Sequence, residues 1–251
     1  CKDKGSNKKP AWCLQSNKIE HNASKKTIYY DKAVIKVYDF PIFYFPKLSH
    51  PDPTVDRRSG FLAPTMTSTK NVGPGVEIPY YWAMSKDKDF LFSTKLYSRN
   101  NHLFLGEYRQ DFKNSFLTVD GGFTKGYKKT SATKTKGSRS HLFSKFNMDF
   151  FSSNEKSSQL EINVQQVSNP THVKIHDINS ILVDNDMSIL ENTIDYEYIN
   201  EDFFLGVNVS AFENLAQKNN SKYEYLLPDI TLEKNLLTTD NLGVLDLSSR
   251  L

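Results

Sequence analysis

Residues 41–82 read PIFYFPKLSHPDPTVDRRSGFLAPTMTSTKNVGPGVEIPYYW, and the fold turns on them. Seven prolines, at positions 41, 46, 51, 53, 64, 74 and 79, stand among strand-forming aromatics. Proline has no N–H to give to a sheet ladder, so it is tolerated at edges, first residues and bulges. A β-rich stretch carrying this much proline leaves ladder positions unpaired. The pattern also changes across it. The stretch therefore reads as a junction between two β units, with a weakened seam at the start of the second.

Upstream, 17–21 and 27–36 read as a hairpin around Asn22-Ala-Ser-Lys, and 41–45 as a last strand. Ile28, Tyr30, Val34, Tyr38 and Phe40 give an apolar face at period-two spacing with one slip. Downstream the chain becomes a meander, with strands expected at 60–67, 75–82, 90–98, 103–112, 116–124, 141–151, 159–168, 188–199, 203–212 and 223–233. Leu160, Ile162 and Val164 alternate with Glu161, Asn163 and Gln165. Phe203, Leu205, Val207 and Val209 alternate with Gly206, Asn208 and Ser210. One greasy and one polar face suit a membrane barrel with a wet lumen. A soluble sandwich shows the same alternation with its apolar face turned inward. Loop lengths favour the barrel: short turns near 113–115, 152–157 and 200–202 alternate with long loops at 125–140 and 170–187.

The 251 residues suffice for one large or two modest domains. The chain is 38% hydrophobic and 24% charged, with 13 Tyr and 17 Phe, a balance that favours strands. A net charge of +3 is too small to argue for nucleic acid. No run approaches the ~20 apolar residues of a membrane helix. The chain does not begin with Met, so it reads as a mature chain or an excised piece. Cys1 is then either the lipidated first residue of a lipoprotein or an internal residue of a longer chain. Two cysteines make no metal site alone. In an oxidising compartment Cys1 pairs with Cys13 or with a residue outside this piece, and Cys13 otherwise serves as a small buried hydrophobe.

The residues of the junction also resemble a known family. The Val37-Tyr38-Asp39-Phe40 lead-in, PIFYFP, His50-Pro51-Asp52, PTVDRRSGFL, Pro64 and IPYYW occur in the order found in LPS-assembly proteins of the LptD family (OstA, organic solvent tolerance). The PDPTVxRRSGFL form is similar to alphaproteobacterial members. The resemblance covers about residues 10–125. It implies an all-β chain: residues 1–58 as the end of a periplasmic β-jellyroll with the junction, and 59–251 as the first strands of a large antiparallel outer-membrane barrel, not closed in this piece. It implies transport of lipopolysaccharide into the outer leaflet of the outer membrane, with no chemical conversion and no cofactor. Its implied partners are lipopolysaccharide, an LptE-like plug lipoprotein, periplasmic bridge proteins of the LptA and LptC type, and outer-membrane lipid. In the family a periplasmic cysteine near Cys1 bonds to the far end of the barrel.

By the same resemblance Pro64 and Pro79 form a lateral gate. Each missing N–H removes a ladder bond where water cannot substitute, although prolines at strand ends are common. Phe43, Tyr44 and Phe45 line the lipid path from the jellyroll, or pack a plain core. Arg57 and Arg58 hold lipid phosphate, or form a salt-bridged turn. The basic run Lys125, Lys128, Lys129, Lys134, Lys136 and Arg139 reads as an outer loop near anionic headgroups, or as a flexible soluble loop. His172 and His176, in HVKIH, have the spacing of a helical metal pair, but in a loop or strand that spacing separates them by roughly 13 Å. No metal site or catalytic constellation is expected. The competing readings are a soluble or lipid-anchored β-sandwich binding module and an outer-membrane lipid-modifying enzyme.

Overall fold

The computed structural model describes residues 12–37, 40–55, 57–69, 72–98, 101–129, 134–153, 155–217, 220–239 and 243–251. It is all-β and antiparallel, with a single short α-helix among the described residues, and it falls into two compact units that divide between Phe61 and Leu62. Among the described residues no helix is long and apolar enough to cross a membrane.

The first unit is built on one long strand. β1 (Trp12–Gln15) and β2 (Lys18–Asn22) both pair with β3 (Thr27–Val37), and β4 (Phe40–Pro51) pairs with β3 along its other edge. The β2–β3 hairpin turns at 23–26. Lys26 there takes φ 44°, while Asn22 Oδ1 accepts from the Lys25 N–H at 2.9 Å. The slip in the apolar alternation has a backbone cause. Lys32 takes φ 50°, and the less exposed residues change from Ile28 and Tyr30 to Ala33, which is fully buried. Facing Ala33 and Ile35 are Phe45 and Phe43; beyond them the register shifts beside Pro41, which cannot donate to the ladder.

The first unit ends with β5 (Gly60–Phe61); after a break at 62–64 the second unit begins with β6 (Thr65–Thr69). From β7 (Gly73–Ala83) each strand pairs with its sequence neighbour: β8 (Lys88–Tyr97), β9 (Leu103–Asp111), β10 (Ser115–Lys129), β11 (Lys134–Ser152), β12 (Lys156–Val167), β13 (Ile189–Asn200), β14 (Phe203–Asn214), β15 (Tyr223–Thr239) and β16 (Gly243–Arg250). Neither end of this sheet meets the other, so it is not closed.

The meander agrees with the sequence pattern, with four corrections: the expected 60–67 strand is broken at 62–64, β16 has no counterpart among the expected strands, and two loops differ. The expected 125–140 loop is mostly strand: β10 and β11 stay paired up to Lys129 and Lys134, carrying the hairpin well past its apolar stretch. Backbone pairing satisfies its own donors and acceptors, so a ladder continues through polar sequence wherever neighbouring strands remain in register. The 170–187 loop contains α1 (His172–His176), so HVKIH is helical rather than extended.

The register sorts side chains onto two faces. Phe146, Ile162, Ile194 and Val209 form one row across β11 to β14, and Glu161, Asn163, Asp195 and Asn208 lie on the opposite face. Toward one end of the polar face the 168–188 segment folds down onto the sheet. There Val72, Tyr97, Leu103, Phe143, Val173, Ile178, Val183 and Leu190 make the buried core. Each fully buried large member, such as Phe143 or Ile178, contributes about 1.5–3 kcal/mol.

Candidate functional site

Pro79 sits inside β7, opposite Ser93 of β8, where the ladder is continuous. Its other edge is different. The Leu62 N–H donates to Pro79 O at 3.0 Å. In an antiparallel strand a residue's N–H and C=O point to the same edge, so the N–H that Pro79 lacks belongs on that edge too. Opposite it lies the break at 62–64, which ends with Pro64. Pairing resumes only at Thr65, opposite Glu77, and continues to Thr69, opposite Gly73. The two prolines singled out in the sequence therefore flank one interruption, on one side of β7.

The faces beside this seam are chemically opposite. Much of the apolar face is bare: Phe104, Phe123, Leu142 and Ile194 remain 43%, 43%, 46% and 47% exposed, against the near-complete burial that a sandwich gives its inward face. The polar face is cross-linked. Arg109 Nε donates to Asp89 Oδ1 at 2.8 Å and lies 3.4 Å from Glu107, and the Tyr81 hydroxyl donates to Asp89 Oδ2 at 3.1 Å. Lys145 pairs with Glu161 at 3.0 Å, and Asn208 Nδ2 donates to Asp195.

Lys95, only 1% exposed, was not read from the sequence as important. Its ammonium donates to the Asp177 carbonyl at 2.7 Å and lies 3.5 Å from Glu77. Tyr97 donates its hydroxyl to the His176 carbonyl at 3.2 Å. These two bonds tie 168–188 to β8. The outward signal is weak, a lysine in a strand that also carries Lys88, Asp89, Ser93 and Thr94, and the carbonyl it reaches lies 82 residues away.

The His172 and His176 rings are 5.2 Å apart, and His141 of β11 lies 5.4 Å from His172. All three are buried. Burial, reinforced for His172 by the neighbouring His141 and His176, pushes His172 down to about 3; burial with the field of Arg139 pushes His176 down to about 4. Both are neutral at pH 7. His141 Nε2 lies 3.4 Å from Asp120 Oδ1.

In the first unit the three aromatics expected along the lipid path are divided. Phe43 and Phe45 share a face with ring centroids 6.3 Å apart, while Tyr44 points to the other face and is 59% exposed. Arg58 is exposed, yet its Nη1 donates to the Lys25 and Lys26 carbonyls, at 3.1 and 3.4 Å, and to Thr27 Oγ1. It braces the hairpin turn. Arg57 is exposed. Cys13 is disulfide-bonded, so it is not a free buried thiol, whereas Cys1 lies outside the described residues. Of the basic run, residues 126–137 lie outside those whose side chains are described.

No protein-family model matches the chain. Among curated proteins, LPS-assembly protein LptD of Legionella pneumophila (strain Lens) is 27% identical over 173 residues, 65% of this chain and 20% of the relative. LPS-assembly protein LptD of Francisella tularensis subsp. holarctica (strain OSU18) is 27% identical over 152 residues, 57% of this chain and 17% of the relative. That of Pseudomonas aeruginosa (strain LESB58) is 30% identical over 115 residues, 45% of this chain and 12% of the relative. These alignments cover a fifth or less of the relatives' length. In sequence the chain is thus similar to LPS-assembly protein LptD from several bacteria, the family that its 41–82 motifs resemble.

Proposed function

We propose that this chain is part of an outer-membrane LPS-assembly protein that passes lipopolysaccharide into the outer leaflet. The second unit is then the first part of a transmembrane barrel, and the first unit the end of a periplasmic jellyroll. The observation that carries the reading is the bare apolar face on a sheet whose other face is polar and ion-paired, next to a strand edge short of donors at Pro64 and Pro79. Lipid satisfies the first face, water the second. A soluble sandwich leaves the apolar face unexplained.

In this mechanism the acyl chains leave the jellyroll along the Phe43 and Phe45 face and enter the bilayer through the seam beside Pro79. The sugar travels on the polar side of the wall. Each absent ladder bond removes about 0.5–1.5 kcal/mol from the joint, so the seam parts at lower cost than its neighbours. Nothing is chemically converted. The buried His141–Asp120 pair lies on the polar face, away from the surface where an enzyme acting on membrane lipid would meet its substrate. An LptE-like plug and LptA- or LptC-like bridge proteins are the partners this route calls for.

The test uses photo-crosslinkable residues at Phe43 and at Ala63 in the full-length protein in its own cells. ATP-dependent glycolipid adducts at both positions are expected, with the yield at Ala63 falling when Pro64 and Pro79 are both changed to Ala. A folded, membrane-inserted protein that gives no adduct at either position sinks the transport reading. Adducts that ignore the double substitution sink the gate alone.

A further inference from the structure

The segment between β12 and β13 hangs from two pinned ends. The Ser168 N–H donates to the Ser140 carbonyl at 2.9 Å, and the Leu215 N–H donates to the Ser188 carbonyl at 2.8 Å. Between these ends the chain is held on the polar face by Lys95 and Tyr97, by the apolar core around Val173 and Ile178, and by a row of histidine rings. His141 of β11 touches His172, His172 touches His176, and the Tyr97 ring lies 5.6 Å from His176. The His141 ring lies over Gly122, where a Cβ would overlap it. His141, His172 and His176 are 4%, 0% and 3% exposed, so a charge on any of them is cut off from bulk solvent. Four of their nitrogens, His141 Nδ1, His172 Nδ1, His172 Nε2 and His176 Nδ1, have no hydrogen-bond partner among the described residues. A neutral ring tolerates such a place far better than a charged one, which needs an acceptor for each N–H.

The charges around the rings work in the same direction. Arg139 of β11 bears on His172 and His176, and Lys95 of β8 on His176. Glu77 of β7 lies 3.5 Å from Lys95 and is matched by it. Among the described residues Asp120 of β10 is the one carboxylate in ion-pair contact with the rings, and it faces His141 Nε2 at 3.4 Å. On the segment itself, Asn185 Nδ2 donates to the Asp177 carboxylate at 2.7 Å, and Lys174, Asp184 and Asp186 are exposed. β9 and β13 add the uncharged Leu103 and Leu190. No carboxylate among the described residues is thus placed to neutralise a proton on His172 or His176. We propose that 168–188 is an acid-released latch, lying on the polar face while His172 and His176 are neutral and lifting off when they take up protons. Burial and the positive neighbours hold His172 at about 3 and His176 at about 4, below the ordinary 6.5, so the lifted form binds more protons than the closed one. The latch is fully closed above the ordinary value, and closure weakens as the pH falls from there toward the buried ones. This inference goes beyond the transport reading and does not depend on what the chain carries.

The test is amide hydrogen exchange on the full-length protein in detergent. Protection factors at Ile175 and Ile178, whose N–H groups donate to Thr171 O and Val173 O, cancel the intrinsic pH dependence of exchange. Two imidazoles returning to the ordinary value predict a loss of protection of roughly several hundred-fold between pH ~7.5 and ~5, while β12 keeps its protection. His172→Leu and His176→Leu, which take up no proton there, each reduce that loss to about 30-fold. His102→Gln, at an exposed position of the same unit, leaves it at the parent's value. A heat-modifiable gel shift establishes that each variant is folded. Where a leucine variant is already open at pH ~7.5, the steepness of the parent's own profile, close to about two decades per pH unit, carries the test. A flat parent profile, a loss shared by β12, or a full loss retained in a folded leucine variant overturns the proposal.

Discussion

Arg58 holds the first hairpin by its turn, through three acceptors at positions 25–27. Arg58→Ala removes charge-assisted bonds worth about 1.5 kcal/mol, so tryptic cleavage after Lys25 and Lys26 is expected to accelerate about tenfold. Unchanged cleavage makes those contacts ornamental. Glycine shows the same dependence on surroundings. At Gly75 a Cβ would lie 2.7 Å from the Leu96 backbone oxygen and 2.8 Å from Tyr97, whereas at Gly60 it meets nothing within 4 Å. Gly75→Ala therefore costs about 1–3 kcal/mol and Gly60→Ala close to none, as read by the unfolding temperature of the barrel on heat-modified gels. Position in the chain tells these glycines apart poorly, because the clash partner of Gly75 sits on the next strand. Pro64 and Pro79, by contrast, are legible as donors the ladder lacks. Their meeting across one interruption needs the register.

At the scale of elements, the strands of the second unit were legible because alternation is local and repeats in each. β12, β13 and β14 show it most cleanly, and their paired registers keep it. What alternation does not carry is where pairing stops, since Gly126 and Lys128 look like loop yet remain in the β10–β11 ladder. Nor does it carry the fate of long loops. HVKIH was legible as a helical spacing; that it becomes a helix follows from Val173 and Ile178 packing against the sheet, a contact between distant parts of the chain. The buried lysine is the pin for this element. Lys95→Met strips Glu77 of its partner and the Asp177 carbonyl of its donor. The cost is about 3 kcal/mol, spent largely on releasing 168–188. Faster amide exchange at Ile175 and Ile178 with no change at β12 is the expected outcome; uniform protection would show that the apolar core alone holds the segment.

At the scale of the whole molecule, the two faces predict opposite tolerance. Ile162 lies on the apolar face, paired with Ile194, and Thr193 lies on the polar face beside Asp195. In a bilayer Ile162→Arg costs about 2–4 kcal/mol if it sits near the midplane, whereas Thr193→Arg costs below about 1. Denaturant titration of vesicle-inserted full-length protein measures both. Equal costs would mean that lipid does not cover that row. The apolar row was visible in the sequence but its outward direction was not, because a sandwich and a barrel write the same alternation. Only the exposure left on Phe104, Phe123, Leu142 and Ile194 separates them.

Sequential pairing from β7 to β16 also has a consequence in time. No hairpin in that run waits for a distant partner, so each forms as soon as its two strands are made, at the speed of local contacts. The outer edges of β6 and β16 differ: among the described residues no further strand pairs with either. In the barrel proposed above, β6 would take a neighbour distant in sequence, across a loop longer than that of any hairpin. On that proposal the outer edge of β6 is the last to knit during assembly, and by the same reasoning the first to part afterwards.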